Sequence, residues 1–177
     1  MKKIATILLV LAVAACSSIT VSYDYDKTVD FNKYKTYAYT EETLKLPVGD
    51  LNRDRLMKAV DAELAARGMT KSDSPDALVD LQIKAKERTE ATATNTGGMY
   101  GGRYGYGGGF TTTNINYSTY VDGTLFVNLV DKASEKLVWQ GRGTKTLEET
   151  ASPEKKESNI NTAVKMIFAK YPVPAKK

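Results

Sequence analysis

The sequence predicts an α+β fold: an antiparallel β-sheet with two helices packed on one face, in a single domain. Three observations carry this. Residues 77–91 alternate between apolar and polar, with Val79, Leu81, Ile83 and Ala85 on one side and Asp80, Gln82, Lys84 and Lys86 on the other. That period of two describes a strand with one packed and one wet face, the pattern of antiparallel sheets. Two further segments, 50–67 and 153–170, repeat their apolar residues at helical spacing. Finally, strands and helices come in blocks, an order that belongs to α+β architecture.

Taken in order, Val21–Tyr25 alternates as a strand, and Tyr34–Tyr39 is a second, Tyr-rich one, with Phe31 tucked into the core between them. Asp50–Arg67 reads as a helix that Asp50 can cap, and Gly68 stands where a left-handed residue would end it. Met57, Val60 and Leu64, with Leu56 beside them, form its apolar stripe, and Glu63 and Arg67 make an i,i+4 pair on its wet side. Beyond the strand at 77–91, Phe110–Tyr120 is a Thr/Asn/Tyr-rich strand. Thr124–Asp131 is apolar on both faces, which places it centrally, and Leu137–Leu147 returns as its hairpin partner after a turn at 132–136. The last helix runs from Pro153 to Lys170, with Ser152 as N-cap and Pro153 as its first residue. Its apolar face is Ile160, Val164, Ile167, Phe168 and Tyr171. Pro172 and Pro174 stop it, leaving a frayed tail at 172–177.

Ahead of this domain, Lys2 and Lys3 precede an apolar run from Ile4 to Ala15 that ends in Ala14-Ala15-Cys16. A positive start, a short apolar stretch and small residues before the cut make a secretory signal at 1–15. The run is shorter than the roughly 20 residues a bilayer span needs. Its small-small-Cys ending reads as a lipobox, so Cys16 is the expected lipidation site and 16–20 a tether. Ser17 after the cysteine, in place of Asp, points to the outer membrane, with the domain facing the periplasm.

Composition removes several chemistries. There is no histidine, and Cys16 is the only cysteine. Imidazole acid–base catalysis, Ser-His-Asp triads and Cys/His zinc sites are therefore excluded, and no disulfide can form within the chain. Lys2 and Lys3 supply two of the net +4 charges. Once the leader is set aside, 23 basic side chains face 21 acidic ones, and a net +2 gives no reason to infer a nucleic-acid partner.

Three stretches bring a family into view: Val21–Tyr39, Ser74–Leu81 and Gly123–Gly141, the last joining an apolar strand, an acidic turn and Leu137-Val138-Trp139-Gln140-Gly141. The chain resembles the bacterial envelope lipoproteins catalogued as domain of unknown function 4136, over most of residues 20–171. In that family the aromatic after Leu-Val precedes Arg, whereas here it precedes Gln140. The resemblance implies a fold and an envelope location and carries over no catalytic residue.

Four motifs invite chemistry. Gly97–Gly109 holds eight glycines, interrupted by Met99, Tyr100, Arg103, Tyr104 and Tyr106. It reads either as a flexible connection between two long strands or as a loop whose Tyr100, Arg103, Tyr104 and Tyr106 contact a small ligand or glycan by stacking. Asp24, Asp26 and Asp30 have the start of a calcium-loop spacing, but Thr28, Val29 and Lys35 stand where an acid or amide, a glycine and a glutamate are required, so no metal is expected. Ser152-Pro-Glu-Lys155 has the Ser-x-x-Lys spacing of penicillin-recognising acyltransferases but lacks the partner motifs, which leaves Ser152 as an N-cap. Trp139 and the tyrosines can pack or rim the sheet, or form a ligand platform.

The expected function is that of a lipid-anchored, non-catalytic binding or structural module of the envelope. It needs no cofactor, its partners are the membrane and another envelope protein or cell-wall component, and nucleic acid is not among them. Small-ligand or glycan binding through the Gly/Tyr-rich loop is the alternative, and a Ser-dependent hydrolase the weaker one.

Overall fold

A computed structural model describes residues 19–97, 111–147 and 150–175. Six strands form one sheet, β1 (Thr20–Tyr25), β2 (Thr36–Tyr39), β3 (Thr70–Lys71), β4 (Ala77–Gly97), β5 (Thr111–Asp131) and β6 (Leu137–Thr146), in the order β1-β6-β5-β4-β2-β3. The helices are α1 (Glu41–Leu44), α2 (Asp50–Ala65) and α3 (Pro153–Phe168). The domain is single and of α+β type, but two expectations need correction.

The sheet is mixed rather than antiparallel. β1, β6, β5 and β4 pair antiparallel, whereas β2 runs parallel to both β4 and β3. A parallel pair needs a crossover of a dozen or more residues, and residues 40–69, with α1 and α2, supply it. There are also three helices rather than two, because Thr40 caps a short one by accepting from the Thr43 N–H at 3.3 Å. The first two strands in the chain, β1 and β2, stand near opposite ends of the sheet. The chain between them carries Phe31, buried as expected, edge-on to Tyr25, Tyr34 and Tyr171 with centroids 6.0, 6.1 and 5.6 Å away.

α2 starts at Asp50 as expected, but Gly49 is its N-cap and no side chain caps it. Its end follows the glycine: Gly68 has φ 82°, and the Met69 N–H reaches back to the Leu64 carbonyl at 3.1 Å. Leu56, Ala59, Val60 and Leu64 are buried, with Met57 only half-buried. Arg67 does pair with Glu63, at 2.7 Å, yet not on the wet side. Its guanidinium is buried and also donates to the Phe168 carbonyl at 2.7 Å.

The strands read separately at 110–120 and 124–131 are one. Asp122 and Gly123, where the sequence pattern breaks, are paired on both sides, with Lys86 and Ala85 of β4 and with Thr146 and Lys145 of β6. The central position expected for 124–131 holds. α3 lies against β6 so closely that a Cβ on Gly141 would sit 2.5 Å from Ile167, so only glycine fits there. Val164, Ile167, Phe168 and Tyr171 are buried, with Ile160 partly so. Each fully buried apolar side chain of this face contributes about 1.5–3 kcal/mol.

Candidate functional site

The stretches that carry the family resemblance meet at one corner. Asp131, closing β5, is buried and accepts from Lys33 Nζ at 2.6 Å, Tyr34 OH at 2.9 Å and the Ser134 N–H at 2.8 Å. These donors hold its carboxyl well below the usual carboxylate range, the Lys33 ammonium contributing most. Burial, with the bond to Asp131, pushes the Tyr34 phenol up to about 12. Alongside, Asp76 accepts from the Lys35 and Thr36 N–H groups at 2.9 Å each, while its carbonyl accepts from Lys132 N–H at 3.0 Å. The corner latches β2, β4 and the β5–β6 turn together. The Asp131 and Asp76 carboxyls are both held below the ordinary value and the Tyr34 phenol above it, so none of these three exchanges a proton near neutrality.

A second carboxylate is similarly committed. Asp61 on α2 accepts from Tyr37 OH at 2.8 Å, Tyr39 OH at 2.7 Å and Lys71 Nζ at 2.7 Å, and burial drives both phenols upward. Asp26 accepts from Thr28 and Asp30 caps the turn at Phe31–Lys33, so these two acids shape turns. Among the described residues no group of three or more His, Cys, Asp or Glu could hold a metal ion. Ser152 Oγ accepts from the Lys155 N–H at 3.3 Å, an N-cap bond. Trp139 is 1% exposed, packed on Phe168 and Tyr171 at 5.5 and 5.2 Å, and therefore offers no platform.

The features left open to a partner lie at the end of the sheet opposite this corner. β6 follows β5 only as far as Asp122, and β2 follows β4 only to Val79. From Glu87/Val121 to Gly97/Thr111 the two long strands pair through eleven residue pairs, with one further backbone bond at the base, from the Leu147 N–H to the Val121 carbonyl at 2.7 Å. At about 3.4 Å per residue this is an arm of about 35 Å. The face it shares with Val79, Leu81 and Ile83 carries Ala91, Ala93, Ile115 and Tyr117, with Ile115 53% and Tyr117 71% exposed. At its base on the other face, Arg88 pairs with Glu90 and Asp122 and lies over Tyr120. The arm's two strands are joined by the segment holding Tyr100, Arg103, Tyr104 and Tyr106. Those residues, and Cys16, lie outside the described residues.

Where the arm leaves the domain, a cleft of about 170 Å³ opens between the sheet, α2 and α3. Ile19, Leu56, Ile83, Leu125, Ile160 and Ala163 line it, and Lys145 is its one charged lining residue. The Lys145 ammonium donates to Asn159 Oδ1 at 2.7 Å. A larger groove between α2 and α3, about 550 Å³, is bordered by Asp54, Arg55, Lys58 and Glu157, whose mixed charges select no ligand class. Among the described residues no helix is long and apolar enough to cross a membrane.

Sequence reading missed both open features. The arm had a signal, since the alternation starting at Ala77 runs on into a Thr-rich stretch well past the usual 5–6 residues of a strand. The cleft had none, because its walls come from five separate elements.

No curated protein matches the chain. Among solved structures, a PDZ domain protein from Parabacteroides distasonis aligns with a TM-score of 0.54 at 15% identity, over 99% of this chain and 41% of that one. This chain thus spans about two fifths of that protein's length. A PelC dodecamer from Paraburkholderia phytofirmans, in two crystal forms, one of them of a point variant, aligns with a TM-score of 0.50 at 12% identity, over 90% of this chain and all of that one. At such identities the likeness is one of fold. The family described as Domain of unknown function (DUF4136) matches residues 21–173, and the chain belongs to it.

Proposed function

We propose that this chain is a lipid-anchored, non-catalytic envelope module that faces the periplasm and grips another envelope component with its β4–β5 arm. One observation carries the reading. A two-stranded hairpin alone is marginal in water, yet here eleven residue pairs extend past the core with Ile115 and Tyr117 exposed on the face that continues it. A partner laid on that face, or along either free strand edge, gains ready-made backbone pairing and apolar contact. Asp61 and Asp131 are each taken up by tyrosine and lysine donors, which supports a binding role over a catalytic one. The Ala14-Ala15-Cys16 ending supports the anchor, since acyl chains contribute about 0.8 kcal/mol per buried CH₂, and both helices lying on one sheet face would leave the other face free.

A photocrosslinking residue at Tyr117 in intact cells should give a defined adduct, while the same residue at Lys156 should not. Absence of any adduct at Tyr117 under several growth conditions would sink the arm reading. Membrane association that survives Cys16→Ser would sink the anchor.

A second reading makes the partner another copy of this chain. It is supported by the PelC assembly, which is a dodecamer. A Tyr117 adduct at twice the monomer mass separates it from a foreign partner. The Gly/Tyr-rich segment at 97–109 as a glycan or small-ligand contact is tested by its deletion, which would abolish the adduct only if that segment makes the grip.

A further inference from the structure

We propose that the apolar cleft beside Ile19 holds the end of one acyl chain of the lipid on Cys16. Its size sets the ligand: a cavity of about 150 Å³ lined by Leu, Ile and Phe stays dry and takes benzene, so about 170 Å³ accepts a hydrocarbon segment of about six carbons. Its chemistry sets the class. Leu56, Ile83, Leu125 and Ile160 present only hydrocarbon, so a ligand with polar atoms in the middle would leave them desolvated and unpaired. Lys145 supplies the one charge. Asn159 engages one of its three N–H donors, and the other two suit an ester or carboxylate oxygen.

Position sets the source. Ile19 is buried and lines the cleft, and Cys16 is three residues upstream, within about 10 Å of extended chain. A diacylglyceryl group on that sulfur therefore begins beside the opening. The hydrocarbon preference stands on the cleft alone, while the source rests on the anchor reading given above. Seating one chain there would hold the domain against its anchor and fix how the arm leaves the membrane surface.

The test feeds cells a diazirine fatty acid that enters lipoprotein acyl groups, irradiates them intact, and maps the crosslinked peptides of the full chain by mass spectrometry. The expected product joins the lipopeptide of Cys16 to peptides containing Ile83, Leu125 or Ile160. Filling the cleft with Ala163→Phe should abolish it while the melting temperature holds. Val48→Phe, at another residue lining the cleft, serves if Ala163→Phe fails to fold. Crosslinks at the cleft that lack the Cys16 peptide, or no cleft crosslinks at all, overturn the proposal. Intact mass separately reports whether Cys16 is acylated, so loss of the anchor reading is distinguishable from an empty cleft.

Discussion

Arg67 ties the ends of two helices together: its guanidinium donates to the Phe168 carbonyl at 2.7 Å and lies 5.2 Å from the centre of the Phe168 ring. The carbonyl belongs to the last turn of α3 and also accepts from the Tyr171 N–H at 3.0 Å. The same guanidinium reaches Glu63 Oε2 and the Glu63 carbonyl, both at 2.7 Å, so α2 and α3 close on one cation. Arg67→Ala should cost about 3 kcal/mol, the scale of breaking a buried pair by removing one partner. Arg67→Lys should recover little, because a single ammonium cannot span three acceptors set by a planar fork. Urea denaturation of both variants checks this, and equal stability of Arg67→Lys and wild type would refute it.

Thr43 continues a ladder that β2 abandons. β2 pairs with β4 as far as Tyr39, and beyond it the Leu81 N–H donates to Thr43 Oγ1 at 2.8 Å. Thr43 is fully buried. Thr43→Val keeps the shape and strands that N–H, at about 1–3 kcal/mol for an unsatisfied buried donor. Thr43→Ser restores the oxygen and should lose less than Thr43→Val. Thermal melts of the pair give the order.

Asp131 makes the fold acid-sensitive. Its folded-state pKa lies below the ordinary value of 3.8. Its contribution is therefore complete above pH 4 and lost as pH falls through the folded value. Asp131→Asn should flatten the stability profile below pH 4 and weaken the fold at pH 7 by about 2 kcal/mol, the scale of hydrogen bonds to a charged group. Tyr34, pushed up to about 12, acts at the other end, its contribution fading between pH 10 and 12. Melting curves from pH 2 to 7 show whether the acid limb belongs to Asp131.

The core elements were legible because each states its own period. The alternation Val79-Leu81-Ile83 and the spacing Ile160-Val164-Ile167 place β4 and α3 without further information, and Ser152 and Gly68 mark ends by local chemistry. What failed depends on non-local pairing. Nothing local in Thr36–Tyr39 says that its neighbour is parallel, or that β1 lies across three strands from it. Arg67 looked like half of an exposed ion pair because the carbonyl that buries it is 101 residues away. Asp122-Gly123 interrupts the apolar pattern, yet strands on both sides hold it straight.

The arm is separable from the domain it leaves. The side chains of 88–95 and 113–120 are exposed, and these stretches pair only with each other, so little apolar area is buried there. Replacing residues 88–120 with Asn-Gly joins Glu87 to Val121, a paired position, through the two-residue turn that matches strand twist. The shortened chain should melt within about 3 °C of wild type, the shift that about 1 kcal/mol produces in a domain of this size. In the intact chain, amides of 89–95 should exchange far faster than those of 79–83, since they open without breaching the core. A chain that unfolds on losing the arm, or arm amides protected as strongly as Leu81, would mean that the hairpin is part of the core and not an element held out for a partner.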